Sequence, residues 1–147
     1  MRRLKMLPNV SLLGLLVSSS ACVSHQTDTP LFKCEASYPS SLEVLIVNIN
    51  NHLQLSEFNL RDNSIEESIT LKDFKLDHYH RALVDEKSLE FSIGERVILV
   101  SEYFSEEFNE VQRTLSVTFR QSGQTEYCEC EEGSISNLAL LFKESTE

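Results

Sequence analysis

Apolar and polar positions alternate along most of this chain in short runs. "LFKCEAS" (31–37) puts Phe32, Cys34 and Ala36 on one side and Lys33 and Glu35 on the other, the period-two pattern of a half-buried strand. "YPSS" then turns the chain. "LEVLIVNIN" (42–50) is rich in β-branched residues and apolar on both faces, which predicts a central strand covered on each side. "HLQLSEF" alternates through Leu53 and Leu55, and "RDNS" (61–64) has the composition of a turn. From Ser68, "SITLKDFKLDHYH" alternates through Ile69 and Leu71, slips by one residue at Lys72 and Asp73, and resumes with Phe74 and Leu76. One strand carrying a β-bulge would read this way.

Leu89, Phe91 and Ile93 alternate with Ser88, Glu90 and Ser92 up to Gly94, and "RVILVSEYF" follows at once, so a hairpin is expected there. "SEEFNEVQRT" reads as a short helical turn or a long acidic hairpin loop. "LSVTFRQSGQTEYCEC" is the clearest hairpin: Leu115, Val117 and Phe119 share a face, Ser122 and Gly123 turn, and the return strand carries Cys128 and Cys130. In the tail, "ISNLALLFK" offers a helical stripe through Ile135, Leu138, Ala139 and Phe142, but its shortness and the preceding turn favour a closing strand. About eight or nine short strands with frequent turn signals predict an all-β fold, a small antiparallel β-barrel or sandwich of meander type, over residues 31–147.

The first 21 residues follow another pattern. Arg2, Arg3 and Lys5 precede an apolar run from Val10 to Val17, too short to span a bilayer, and Ser18 to Ala21 are small, the layout of an export signal. "SSAC", Ser19 to Cys22, resembles the lipobox of bacterial lipoproteins. The resemblance implies that residues 1–21 are a signal peptide, that the Cys22 thiol carries acyl chains, and that residues 22–30 are a lipidated tether. Each buried CH₂ of those chains contributes about 0.8 kcal/mol to membrane retention. Val23 stands where an aspartate would hold such a protein in the inner membrane, which implies an outer-membrane, periplasm-facing location. Serine at 19, where that family most often has leucine, and Ala21, which suits an ordinary signal peptidase, keep a soluble periplasmic or secreted form as the alternative.

Loss of Arg2, Arg3 and Lys5 with the leader leaves 10 basic against 23 acidic residues, a formal charge of −13. Nucleic acid is excluded as a partner of that surface, whereas a cationic protein would meet it faster. With Cys22 lipidated, three cysteines remain for an oxidising compartment. Cys128 and Cys130 project to one face of an extended segment, so either can bridge to Cys34, closing a loop worth about 4 kcal/mol in the chain-entropy model. A redox role for "CEC" is disfavoured by the neighbouring Glu126, Glu129, Glu131 and Glu132, and zinc binding by the one-residue spacing.

"DHYHR" (77–81) is the compact cluster of potential metal ligands: on a strand His78 and His80 share a face and could hold a divalent ion with a carboxylate such as Asp85 from a nearby turn, whereas a polar loop at a strand end accounts for the same residues. No Gly-flanked serine or other catalytic signature is present, and no cofactor is expected. "FSEEFNE" places Phe104 and Phe108 among Glu106, Glu107 and Glu110, a candidate partner-binding loop. The expected function is therefore a non-catalytic binding or assembly module for another envelope protein, held at the membrane through its lipid. Two alternatives share this outline: an inhibitor of a cationic lytic enzyme, since the chain resembles periplasmic inhibitors of lysozyme in outline but without their reactive-loop motif, and a pilotin-like factor for a secretin.

Overall fold

Strands joined by short turns pair antiparallel with their sequence neighbours, and within each of two sheets these do. The computed structural model describes residues 30–59 and 64–143; the expected signal peptide (1–21), Cys22 and residues 23–29 of the expected tether lie outside them. β1 (Pro30–Ala36), β2 (Leu42–Ile49), β3 (His52–Asn59) and β4 (Ser64–Thr70) make one meander. β5 (Phe74–Arg81), β6 (Val84–Ile93), β7 (Arg96–Ser105), β8 (Gln112–Gln121) and β9 (Gln124–Glu129) make a second. β10 (Ile135–Ser136) returns to pair with β1, and the short helix α1 (Ala139–Lys143) follows. The fold is all-β, a sandwich of two five-stranded antiparallel sheets ordered β10-β1-β2-β3-β4 and β5-β6-β7-β8-β9, and it does not close into a barrel.

The turns use residues that tolerate left-handed backbone. Asn50 and Asn51 (φ 51° and 64°) join β2 to β3, and Ser122 and Gly123 (φ 51° and 76°) join β8 to β9, the two-residue hairpin connections whose twist matches that of the strands. Period two then sends Val44, Ile46, Leu53 and Leu55 of one sheet and Leu89, Phe91, Ile98, Val100, Leu115 and Val117 of the other into a common core. Each such aliphatic or aromatic side chain contributes about 1.5–3 kcal/mol by leaving water. A register shift between Pro30 and Phe32 inserts Leu31 as an extra residue, which lets Leu31 and Phe32 both be buried.

Charged residues close the core at both ends. The inner row of β7 runs Arg96, Ile98, Val100, Glu102. At one end Arg96 donates to both carboxylate oxygens of the buried Glu57 on β3 (2.8 and 2.9 Å). At the other end Glu102 accepts from Ser136 Oγ of β10 (2.6 Å) and from Arg113 of β8 (2.9 Å). Between the sheets, the Cys34–Cys130 disulfide joins β1 to the chain leaving β9, with Cα atoms 5.1 Å apart. Cys130, rather than Cys128, takes the bridge because it sits where the chain changes sheets. Its N–H still bonds Leu115 O on β8 (2.9 Å), while the next N–H, of Glu131, bonds Glu35 O on β1 (2.7 Å). Cys128 remains inside β9, opposite Val117, as a buried free thiol.

Three expectations need correction. The slip at Lys72 and Asp73 is no bulge: the Leu71 N–H ends the first sheet by bonding Leu53 O (2.8 Å), and Phe74 opens the second. A one-residue phase slip looks the same in sequence whether the chain bulges or changes sheet. The tail is a strand only at Ile135–Ser136, because Asn137 reaches the start of β1, its N–H bonding Leu31 O (2.7 Å) and its side chain Pro30 O (2.8 Å). With no more of β1 to pair, the chain coils into α1 and tucks Leu138 into the core. Lastly, β2 lies between β1 and β3 but buries fully only Val44 and Ile46, leaving Leu45 and Val47 on its outer face half-buried.

Candidate functional site

The second sheet extends past the apolar core, and there its inner rows turn polar. Beyond Leu76, β5 carries His78 and His80; beyond Leu89, β6 carries Lys87 and Asp85; beyond Val100, β7 carries Glu102 and Phe104. The register sets His80 opposite Asp85 and His78 opposite Lys87, with Lys87 opposite Glu102 and Asp85 opposite Phe104. Both imidazoles aim at one carboxylate oxygen: His78 Nε2 is 2.7 Å and His80 Nδ1 3.0 Å from Asp85 Oδ1. Lys87 Nζ bonds the other oxygen, Oδ2. Burial pushes the Asp85 carboxyl up, but hydrogen bonds from Lys87, His78 and His80 outweigh it and hold the group well below the usual carboxylate range. The Phe142 ring of α1 lies 5.5 Å from that of His78 and flanks the cluster. Among the described residues, His78, His80 and Asp85 are the group placed to hold a metal, their ligand atoms all within 4.8 Å of one another.

The β7–β8 loop leaves from this same end. Its tip, Glu107–Asn109, closes through the Glu110 N–H to Glu107 O (3.2 Å) but departs from helical backbone at Phe108, so the segment is a tight hairpin loop rather than a regular helical turn. Three contacts hold its base: Glu106 N–H to Leu83 O (2.9 Å), Glu107 N–H to Ser105 Oγ (3.2 Å), and Arg81 to Glu107 (2.7 Å). At the tip Phe108 and Asn109 both take left-handed backbone (φ 60° and 59°), and Phe108 is 89% exposed and Val111 74%. Leu83, on the β5–β6 turn that braces the loop, is half exposed as well. The expected group of Phe104, Glu106, Glu107, Phe108 and Glu110 therefore divides. Phe108, Glu106 and Glu110 project; Glu107 is tied to Arg81; Phe104 lies half-buried within β7, on the side of the histidine cluster.

At the opposite end the sheets part into a groove of about 820 Å³, lined by Ser40, Leu42, Arg96, Phe119, Gln124 and Glu126 among others. Arg96 sits over the Phe119 ring, 5.3 Å from its centroid, and Ser40 Oγ donates to Glu126 (2.6 Å). Sequence reasoning missed this groove because it forms only where the β1–β2 connection meets the β8–β9 hairpin across the two sheets. The available signal was Glu57 and Arg96, charged residues in the apolar phase of their strands. The Cys128 thiol is pushed up to about 11, first by burial and then by Glu126, so it stays protonated and a poor nucleophile at neutral pH. Among the described residues no helix is long and apolar enough to cross a membrane. Compared with protein-family models, curated proteins and solved structures, the chain matches none.

Proposed function

We propose that this chain is a lipoprotein anchored through Cys22 in the outer membrane, facing the periplasm, and that it binds another envelope protein non-catalytically with its β7–β8 loop. The observation that carries the reading is Phe108. A bulky L-residue in the left-handed region costs about 1–2 kcal/mol, and burial would ordinarily repay it. Here the ring is presented to solvent instead, which suits a side chain held ready for a partner's pocket. Export is supported by the Cys34–Cys130 disulfide, a bond that persists in oxidising compartments. Contacts of Asn137 with Pro30 and of Ser136 with Glu102 put the entry of the chain and the loop at the same end. Eight residue steps from Cys22 to Pro30 reach at most about 28 Å, which keeps that end close to the membrane.

A photo-crosslinking phenylalanine analogue at position 108, expressed in cells, should trap a single envelope protein, while the same analogue at the highly exposed Tyr38 should not. Phe108→Ser should lose the captured protein without lowering the melting temperature. Equal crosslinking at both positions, or none at 108, ends this reading of the loop. Exposed Glu106 and Glu110 beside the ring favour one second reading, inhibition of a cationic lytic enzyme, which a lysozyme inhibition assay separates from the first.

A further inference from the structure

We infer that His78, His80 and Asp85 form a binding site for a divalent late first-row transition ion, with zinc as its best fit. The proposal does not rest on the partner-binding loop. Its basis is convergence: the two imidazole nitrogens do not spread over both carboxylate oxygens but meet at Asp85 Oδ1, 2.7 and 3.0 Å away. The scaffold is two hydrogen-bonded strands. Positions 78 and 80 share a face of β5, and the β5–β6 register sets Asp85 directly opposite His80, so all three donors are placed by backbone rather than by a loop. Zinc takes imidazole nitrogen at about 2.0–2.1 Å and carboxylate oxygen at about 2.0–2.2 Å, so tetrahedral donors stand about 3.4 Å apart. The three donor atoms already lie within 4.8 Å of one another, and rotamer adjustments of partly exposed side chains suffice to admit the ion.

The neighbours divide the carboxylate suitably. Lys87 bonds Oδ2, leaving Oδ1 to the ion, and it has an alternative acid in Glu102, its cross-strand partner on β7. Phe142 restrains the His78 ring from the α1 side. Two imidazoles and one carboxylate favour zinc, copper or nickel over magnesium or calcium, and three protein ligands leave a fourth position for water or a partner's side chain.

The test uses the full chain in detergent, purified without a histidine tag and stripped with chelator. Titration with zinc chloride should give one ion per chain with micromolar or tighter affinity, and cobalt should give the visible spectrum of a tetrahedral site. His80→Ala, at a ring that is 69% exposed and so safe for folding, should weaken binding at least tenfold, as should His78→Ala and Asp85→Asn. Lys87→Gln should tighten it severalfold by removing a competing ammonium, which a merely structural cluster would not do. His52→Ala, on the β2–β3 side of the other sheet, should leave it unchanged. No saturable zinc binding below millimolar, or binding that survives the His78 and His80 substitutions, overturns the proposal.

Discussion

The Cys128 side chain has no solvent exposure, and Glu126 Oε1 lies 3.8 Å from its sulfur, so its ionisation is opposed first by burial and second by a like charge. A thiol pushed from an ordinary 9.0 up to about 11 binds its proton more tightly folded than unfolded. Its contribution to stability is then whole below the unfolded value and is lost as pH rises through the folded one. Between pH 9 and 11 the wild type should lose up to about 1.4 kcal/mol per pH unit relative to Cys128→Ala in urea unfolding. Parallel pH profiles would mean that the thiol is hydrated. Mass mapping after iodoacetamide at pH 8 should likewise find Cys128 modified only when denaturant is present. At the same scale, the cluster of His78, His80 and Asp85 was legible in part because a period of two puts His78 and His80 on one face of any strand. Which carboxylate completes it depends on register, and the two-residue turn at Ala82 and Leu83 supplies that.

Among elements, the closure of the chain on itself should contribute most to stability. The disulfide spans 96 residues and fastens β1 to the exit of β9, where Glu131 and Ser134 continue onto the β1 backbone at Glu35. Cys34→Ser should cost about 4 kcal/mol in the chain-entropy account, a large share of the 5–15 kcal/mol of a typical domain. A melting temperature unchanged by that substitution or by reductant would show that the β1–β10 pairing holds the sheets by itself. Alternation sufficed to read β1, β3 and β6–β9, since one buried face imposes its period on the sequence. It failed where two periods meet. Lys72 and Asp73 mark a change of sheet that mimics a bulge, and the helix after Ile135–Ser136 depends on where β1 begins, a fact about a strand a hundred residues away. The groove below Arg96 was hidden for a related reason, since it needs the β1–β2 connection and the β8–β9 hairpin, far apart in the sequence, to come together.

For the whole molecule the acidic excess matters more than any single ion pair. Among the described residues Lys33, Arg81, Lys87, Arg96, Arg113 and Arg120 each lie against a carboxylate of the same chain, so most of the described basic side chains are engaged and the surplus presented outward is negative. Apart from that of Arg96 with the buried Glu57, these pairs are partly exposed and contribute little to stability, typically under about 1 kcal/mol, so the surplus has to be explained by what it does at a distance. Around Phe108 the exposed Glu106 and Glu110 concentrate that field at the proposed recognition loop, whereas Glu107 is engaged by Arg81. If the loop meets a cationic partner, association should slow steeply as salt shortens the screening length to below about 10 Å, while dissociation changes little. Reversal of Glu106 and Glu110 to lysine should lower the association rate severalfold and leave unfolding stability within about 0.5 kcal/mol, because neither carboxylate is buried. Glu107→Lys serves as the contrast, since it also removes the brace to Arg81 and should loosen the loop. Stopped-flow or surface-binding rates at low and high salt distinguish the two contributions to binding. Salt-insensitive association with the double reversal would leave the apolar ring of Phe108 as the recognition element and the charge as a determinant of solubility alone.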